Sequence, residues 1–223
     1  MPTVVLQHLT YTQLSDKTWC ATAHIVDPQI IISSGSEPLS APQIAHYRRQ
    51  QQRQGVRLLL THLLIKVGIS DTLEESQFPY RLTKSGYYVC FSHSSCTALA
   101  GNHETKVAVI ISDRRAVGID IETQPITWQV AERFYDPAEI TILNKLPIAQ
   151  RDTISKWLWQ LKESYIKIHQ YTLAQGLVQS YAALIPKLIA GLDKNSSAIT
   201  MIYDKQADYQ IAVLPTQQTL IVF

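Results

Sequence analysis

Ile154, Leu158, Leu161, Tyr165 and Ile168 recur at three- and four-residue intervals, the spacing that lines one side of a helix. A helix over about 152–169 is therefore predicted, with that stripe facing the core. Glu163 lies about 200° round from Leu161, and Lys167 one turn beyond it, on the face that also carries Trp159. Upstream the period changes. In Gly118-Ile119-Asp120-Ile121-Glu122 apolar and acidic positions alternate, so Ile119 and Ile121 are predicted to be buried on one face of a strand while Asp120 and Glu122 project from the other. Gly118 shares the acidic face, where its missing side chain is expected to leave room for a ligand.

The same patterns predict a helix near 41–67, strands near 87–91 and 106–112, and a turn at Asp113-Arg114-Arg115. They continue with the acidic strand at 117–122, a helix near 128–144, and strand-like runs at 178–185, 198–203, 208–214 and 219–223. Helices and strands come in groups, which favours an α+β fold with antiparallel sheets. No acidic residue lies between Glu37 and Asp71, an interval that holds Arg48, Arg49, Arg53, Arg57 and Lys66. Arg49, Arg53 and Arg57 are four apart and stack on one helical face, which Leu60 and Leu64 continue into a buried end. Guanidinium groups grip phosphate bidentately, so this face is a candidate phosphate site; an ordinary solvated helix face is the other explanation. Arg81 and Lys84 are further candidates.

Composition narrows the picture a little. The 223 residues are 46% hydrophobic and 17% charged, enough apolar material for one large core or two small ones. A net charge of +2 gives no ground for nucleic-acid or membrane binding. Cys20, Cys90 and Cys96 form no CxxC pair, and their odd number argues for reduced thiols. No signal sequence and no membrane-length apolar run is seen, so a cytoplasmic protein is expected.

If Asp120, Glu122 and Glu163 converge, their repulsion is substantial, because two unit charges about 4 Å apart cost roughly 4 kcal/mol at an effective dielectric of 20. A cation is then required, and an all-oxygen set with open positions suits Mg²⁺ and phosphate chemistry better than zinc. Taken singly, each residue also fits a solvated strand face or a surface Glu163–Lys167 pair.

At this point three ordered blocks, FSHSS (91–95), AVGIDIE (116–122) and WLWQLKESYIKIHQYTLAQGL (157–177), resemble the 4′-phosphopantetheinyl transferases, in particular their larger, monomeric type. The resemblance covers about residues 79–177. It implies Mg²⁺ on Asp120, Glu122 and Glu163, contacts from Ser92 and His93 to coenzyme A phosphates, and Lys167 on the phosphate being transferred. Lys162 joins the implied coenzyme A contacts, with Arg49, Arg53, Arg57 and Arg81 as candidates for the 3′-phosphate. Glu163, Lys167 and His93 would be the catalytic groups. A strand at Tyr87–Phe91 is expected to deliver Ser92-His93-Ser94 to a turn. Glu139 falls where family members also carry a glutamate near the metal, although Asp136 and Pro137 read equally as an ordinary helix start. Cys90 and Gln77-Phe78-Pro79 depart from the family's usual Asn and Gly-Lys-Pro.

The activity implied is transfer of 4′-phosphopantetheine from coenzyme A to a serine of an apo acyl or peptidyl carrier protein, with release of adenosine 3′,5′-bisphosphate. The fold implied has two similar halves, each a small antiparallel sheet with packed helices, related by a pseudo-twofold. The boundary is placed near 114–116: residues 1–115 for coenzyme A phosphate contacts, 116–223 for the Mg²⁺ site. A Mg²⁺-dependent phosphohydrolase and a non-catalytic coenzyme A or carrier-binding module stay open.

Overall fold

The computed structural model describes residues 4–26, 40–97, 103–192 and 198–223. Strands β1 (Val5–Ser15) and β2 (Thr18–Val26) form a hairpin, followed by helix α1 (Ala41–Val67), the short strands β3 (Leu73–Glu74) and β4 (Arg81–Leu82), and the long strands β5 (Tyr88–Thr97) and β6 (His103–Ser112). Next come β7 (Gly118–Ile121) and helices α2 (Trp128–Phe134), α3 (Pro137–Leu143), α4 (Ile148–His169), α5 (Leu173–Leu177) and α6 (Ile185–Leu192). Strands β8 (Thr200–Asp204), β9 (Tyr209–Leu214) and β10 (Thr219–Val222) close the chain. All pairings are antiparallel, in two sheets ordered β1-β2-β6-β5-β4-β3 and β7-β10-β9-β8. The fold is α+β, as expected.

Side-chain alternation explains how these elements stack. On one face of the first sheet Val107, Val109 and Ile111 of β6 pack with Val56, Leu59, Leu60 and Leu63 of α1. On its other face Ala108 and Ile110, with Cys20 and Cys90, meet Ile119 and Ile121 of β7 and Ile221 of β10. The second sheet turns its remaining face, through Val213, Leu220 and Val222, to Ile154, Leu158, Leu161 and Tyr165 of α4. The order of layers is helix, sheet, sheet, helix. Because β6 is covered on both faces, its run Val107–Ile111 is apolar throughout instead of alternating.

One contact sets the position of α4. A Cβ on Gly118 would stand 2.1 Å from the carbonyl oxygen of Ser164, so only glycine lets the helix backbone lie this close to β7. The room expected there for a ligand is occupied by α4.

Other expectations need correction. Ser92-His93-Ser94 lie inside β5, which continues to Thr97, and not in a turn. The helix near 128–144 is two helices, because Pro137 starts a new one behind the Asp136 cap. The run at 178–185 is not a strand: Ala182–Leu184 form a 3₁₀ turn leading into α6, and an apolar run this short does not distinguish the two states. The hairpin β1–β2 was not predicted. Among the described residues, no helix is long and apolar enough to cross a membrane.

Candidate active site

Asp120, Glu122 and Glu163 line one cleft of about 370 Å³ together with Ser92, His93, Trp159 and Lys167. Strand alternation aims Asp120 and Glu122 the same way, and α4 brings Glu163 and Lys167, one turn apart, over the same strand. Lys167 Nζ lies 3.0 Å from Asp120 Oδ1 and donates to the Ile119 carbonyl (2.8 Å) and to Ser92 Oγ (3.1 Å).

Two serines of β5 hold the carboxylates from the other side. Ser92 Oγ donates to Asp120 Oδ1 (2.9 Å) while accepting the Ile121 N–H (3.2 Å). Ser94 repeats the arrangement two residues on, donating to Glu122 Oε1 (2.9 Å) and accepting the Thr123 N–H (3.1 Å). β7 is an edge strand of its sheet, and these hydroxyls satisfy amides that the edge leaves unpaired. The expected phosphate contact of Ser92 is thus replaced, in this structure, by a buried grip on Asp120. From sequence, Ser94 is expected only in a turn with Ser92 and His93; the signal for its grip on Glu122 is the two-residue repeat of serine opposite the two-residue repeat of acid.

His93 alternates to the opposite face from Ser92 and Ser94, and it is exposed at the cleft edge. Desolvation, helped by the Lys167 charge, holds its imidazole below the ordinary histidine value. Gln52 of α1 donates to Ser95 Oγ (2.9 Å), and Arg49 and Arg53, on the same stretch of α1, are exposed. Arg57 is committed elsewhere, to a two-point ion pair with Glu75, and Arg81 stacks 4.1 Å over the Tyr88 ring. Lys84 is exposed.

Burial raises the carboxyl pKa of Asp120 despite the opposing Lys167 charge, and it raises that of Glu163 in the same way, with Asp120 and Glu122 adding repulsion. Lys167 pays the same desolvation, which lowers its pKa, but the neighbouring carboxylates outweigh it and the net shift is upward. Among the described residues no three acidic, histidine or cysteine side chains are already gathered as a metal cage. The donors are nevertheless all oxygen, on an open-sided cleft, with negative charge in excess of the single ammonium. That fits a hard cation which takes one or two carboxylates and completes its shell with water and phosphate.

Lys162 and Glu139 lie outside the cleft. Both are fully buried, 2.9 Å apart. Lys162 also donates to the carbonyls of Leu177 and Gln179, and Glu139 accepts from the N–H groups of Asp136 and Tyr181. Burial lowers the lysine pKa, with Glu139 opposing. Removing one partner of such a pair leaves a charge without compensation and typically costs about 3–5 kcal/mol. Glu139→Ala is therefore expected to lower the unfolding free energy by that amount, measured by urea unfolding, whereas Glu122→Ala in the cleft should change it by less than about 1 kcal/mol.

With this geometry in place, comparison with known proteins adds a similarity. Residues 116–214 match the sequence model of the 4′-phosphopantetheinyl transferase superfamily. The similarity lies in this segment. It contains β7 and α4, and with them all three carboxylates and Lys167. Similar relatives include the 4′-phosphopantetheinyl transferase psf-1 of Bacillus pumilus, 32% identical over 105 residues that make up 45% of each chain. The 4′-phosphopantetheinyl transferase Sfp of Bacillus subtilis strain 168 is 27% identical over 113 residues, 50% of each chain. A further 4′-phosphopantetheinyl transferase of Bacillus subtilis is 27% identical over 154 residues, 61% of this chain and 64% of its own. The chain spans about half the length of the first two of these relatives.

Proposed function

We propose that this protein is a 4′-phosphopantetheinyl transferase, which transfers 4′-phosphopantetheine from coenzyme A to a serine of an apo carrier protein, releasing adenosine 3′,5′-bisphosphate, and that Mg²⁺ assists. The observation that carries this reading is the convergence of Asp120, Glu122, Glu163 and Lys167 on one cleft.

When bound, Mg²⁺ would be held by Asp120, Glu122 and Glu163 and would neutralise pyrophosphate charge. The chain's own groups do the rest. Arg49 and Arg53, with His93, would bind the 3′-phosphate, and Lys167 would follow the charge that moves onto the bridging oxygen. The carrier serine Oγ attacks the β-phosphorus, the bond from that phosphorus to the bridging oxygen breaks, and the nucleotide departs with the electron pair. Glu163, whose carboxyl pKa is raised by burial, accepts the serine proton. Residues 1–115 would then supply the nucleotide contacts and 116–223 the ion site.

The test is mass spectrometry of several apo carrier proteins after incubation with the protein, Mg²⁺ and coenzyme A. Addition of one phosphopantetheine supports the reading; consumption of coenzyme A without any carrier would assign hydrolysis instead. A finer prediction separates the arginines. Arg49→Ala or Arg53→Ala is expected to weaken coenzyme A by about tenfold while leaving 3′-dephospho-coenzyme A within about twofold. Arg57→Ala, already neutralised by Glu75, should show no such selectivity in the same binding titrations.

A further inference from the structure

We propose that a groove adjoining the cleft beyond the end of β7 docks the carrier-protein segment that presents its serine, taking an apolar side chain into the groove and a neighbouring carboxylate at its rim. This rests on the transfer reading above. Two cavities flank the end of the strand: Glu122 lines the cleft, and the next residue, Thr123, lines the other. The second cavity, about 490 Å³, is walled by Pro125, Trp157, Leu192 and Pro215.

The groove is placed for the incoming serine. In phosphoryl transfer the attacking and leaving oxygens lie roughly in line. The departing nucleotide is assigned to His93, Arg49 and Arg53, on the β5 and α1 side of the carboxylates. The serine then arrives away from the nucleotide, and the groove adjoins the carboxylates where Glu122 gives way to Thr123. Gln160 ties the two cavities together, since its amide donates both to the Asp120 carbonyl (3.2 Å) and to the Gln218 carbonyl (2.7 Å) on the groove wall.

Charge defines the partner. Lys156 lines the groove on the same face of α4 as Gln160 and Glu163, and among the described residues it makes no ion pair or hydrogen bond. It feels the charges of Glu122, Lys106 and Asp120 at longer range. Lys106 reaches the same wall, donating to Gln218 Oε1 at 2.9 Å. Asp152, the acidic residue on the groove, is 3.9 Å from Arg151. Two ammonium groups beside an apolar hollow select a segment with a carboxylate next to an apolar residue.

The test uses the whole chain with coenzyme A and an apo carrier protein that the parent modifies. Thr153→Arg fills the groove from a half-buried helix position, and Lys156→Glu reverses the rim charge. Each is expected to raise the KM for the carrier about tenfold or more, with the KM for coenzyme A and kcat at saturating carrier within about twofold. The Lys156→Glu defect should be relieved by an acid-to-lysine change beside the carrier serine. Retained coenzyme A affinity shows that the variants are folded. An unchanged carrier KM in both variants overturns the proposal, as does an equal rise in the KM for coenzyme A, which would move Lys156 to the nucleotide side. A shift of Thr153→Arg from dimer to monomer in sedimentation, without change in carrier KM, would assign the groove to a second copy and also overturn it. A parent protein that binds coenzyme A but modifies no carrier sinks the transfer reading itself.

Discussion

Replacing Asp120 by Ala is expected to cut carrier modification by roughly 10³-fold, the upper end of what one electrostatic contact commonly supplies. Asp120 stands at the centre of the cleft, joined to Lys167, Ser92 and the end of α4, and its carboxylate is one of the oxygens proposed for the cation. Glu163→Ala should lose as much, since it removes both an ion ligand and the proton acceptor. In neither variant should the fold be lost, because the three-layer apolar contacts of β7 and α4 run through Ile119, Ile121, Leu158 and Leu161, which are untouched. Single-turnover rates at saturating Mg²⁺ check this; near-normal turnover in either variant would remove the cation from these residues. A pH signature accompanies it. The raised Asp120 and Glu163 carboxyls make the folded chain bind more protons than the unfolded one, so without Mg²⁺ stability is fully present at and below the ordinary carboxylate range and declines as pH rises through the raised one. Mg²⁺ competes with those protons. Its stabilising effect in thermal melts should therefore grow over the same window and disappear in Asp120→Ala.

Lys167→Ala is expected to lower kcat by about 10² to 10³, equivalent to roughly 3–4 kcal/mol, while coenzyme A binding weakens far less. The ammonium touches Asp120, Ser92 and the Ile119 carbonyl at once, so it sits where charge shifts between the breaking bond and the carboxylates. An interaction that strengthens in the transition state appears in kcat, whereas one made equally with bound substrate appears in KM. Titration of coenzyme A in steady-state assays separates them. An unchanged kcat would leave Lys167 as a structural partner of Asp120. Loss of Lys167 also removes the charge that opposes the upward shifts of Asp120 and Glu163, so the pH optimum should move upward in the variant, and added Mg²⁺ should partly restore it.

The features legible in the sequence are those written within one element. The α4 stripe, the acidic alternation of β7 and the arginine line of α1 are periodicities, and each residue's face follows from its neighbours. What depends on distant chain was hidden. Arg57 reads as one of three equivalent arginines until Glu75 folds against it. Lys162 reads as a companion of Glu163, yet one residue along a helix is a turn of about 100°, enough to send one into the core and the other into the cleft. Gly118 was correctly assigned a missing side chain but the wrong neighbour, because the approach of Ser164 is a tertiary fact. β2 escaped notice since burial on both faces erases the alternation that marks a strand.

The buried Lys162–Glu139 pair then has a consequence for its neighbour in sequence. Turning α4 about its own axis by about 10° would carry a carboxylate at a radius of about 6 Å through roughly 1 Å, a displacement that can cost a hundredfold in rate. The same turn would stretch an ion pair that has no water to fall back on. Lys162 thus works as an angular stop: a fully buried charge, taking no part in the cleft, limits how far Glu163 can wander within it.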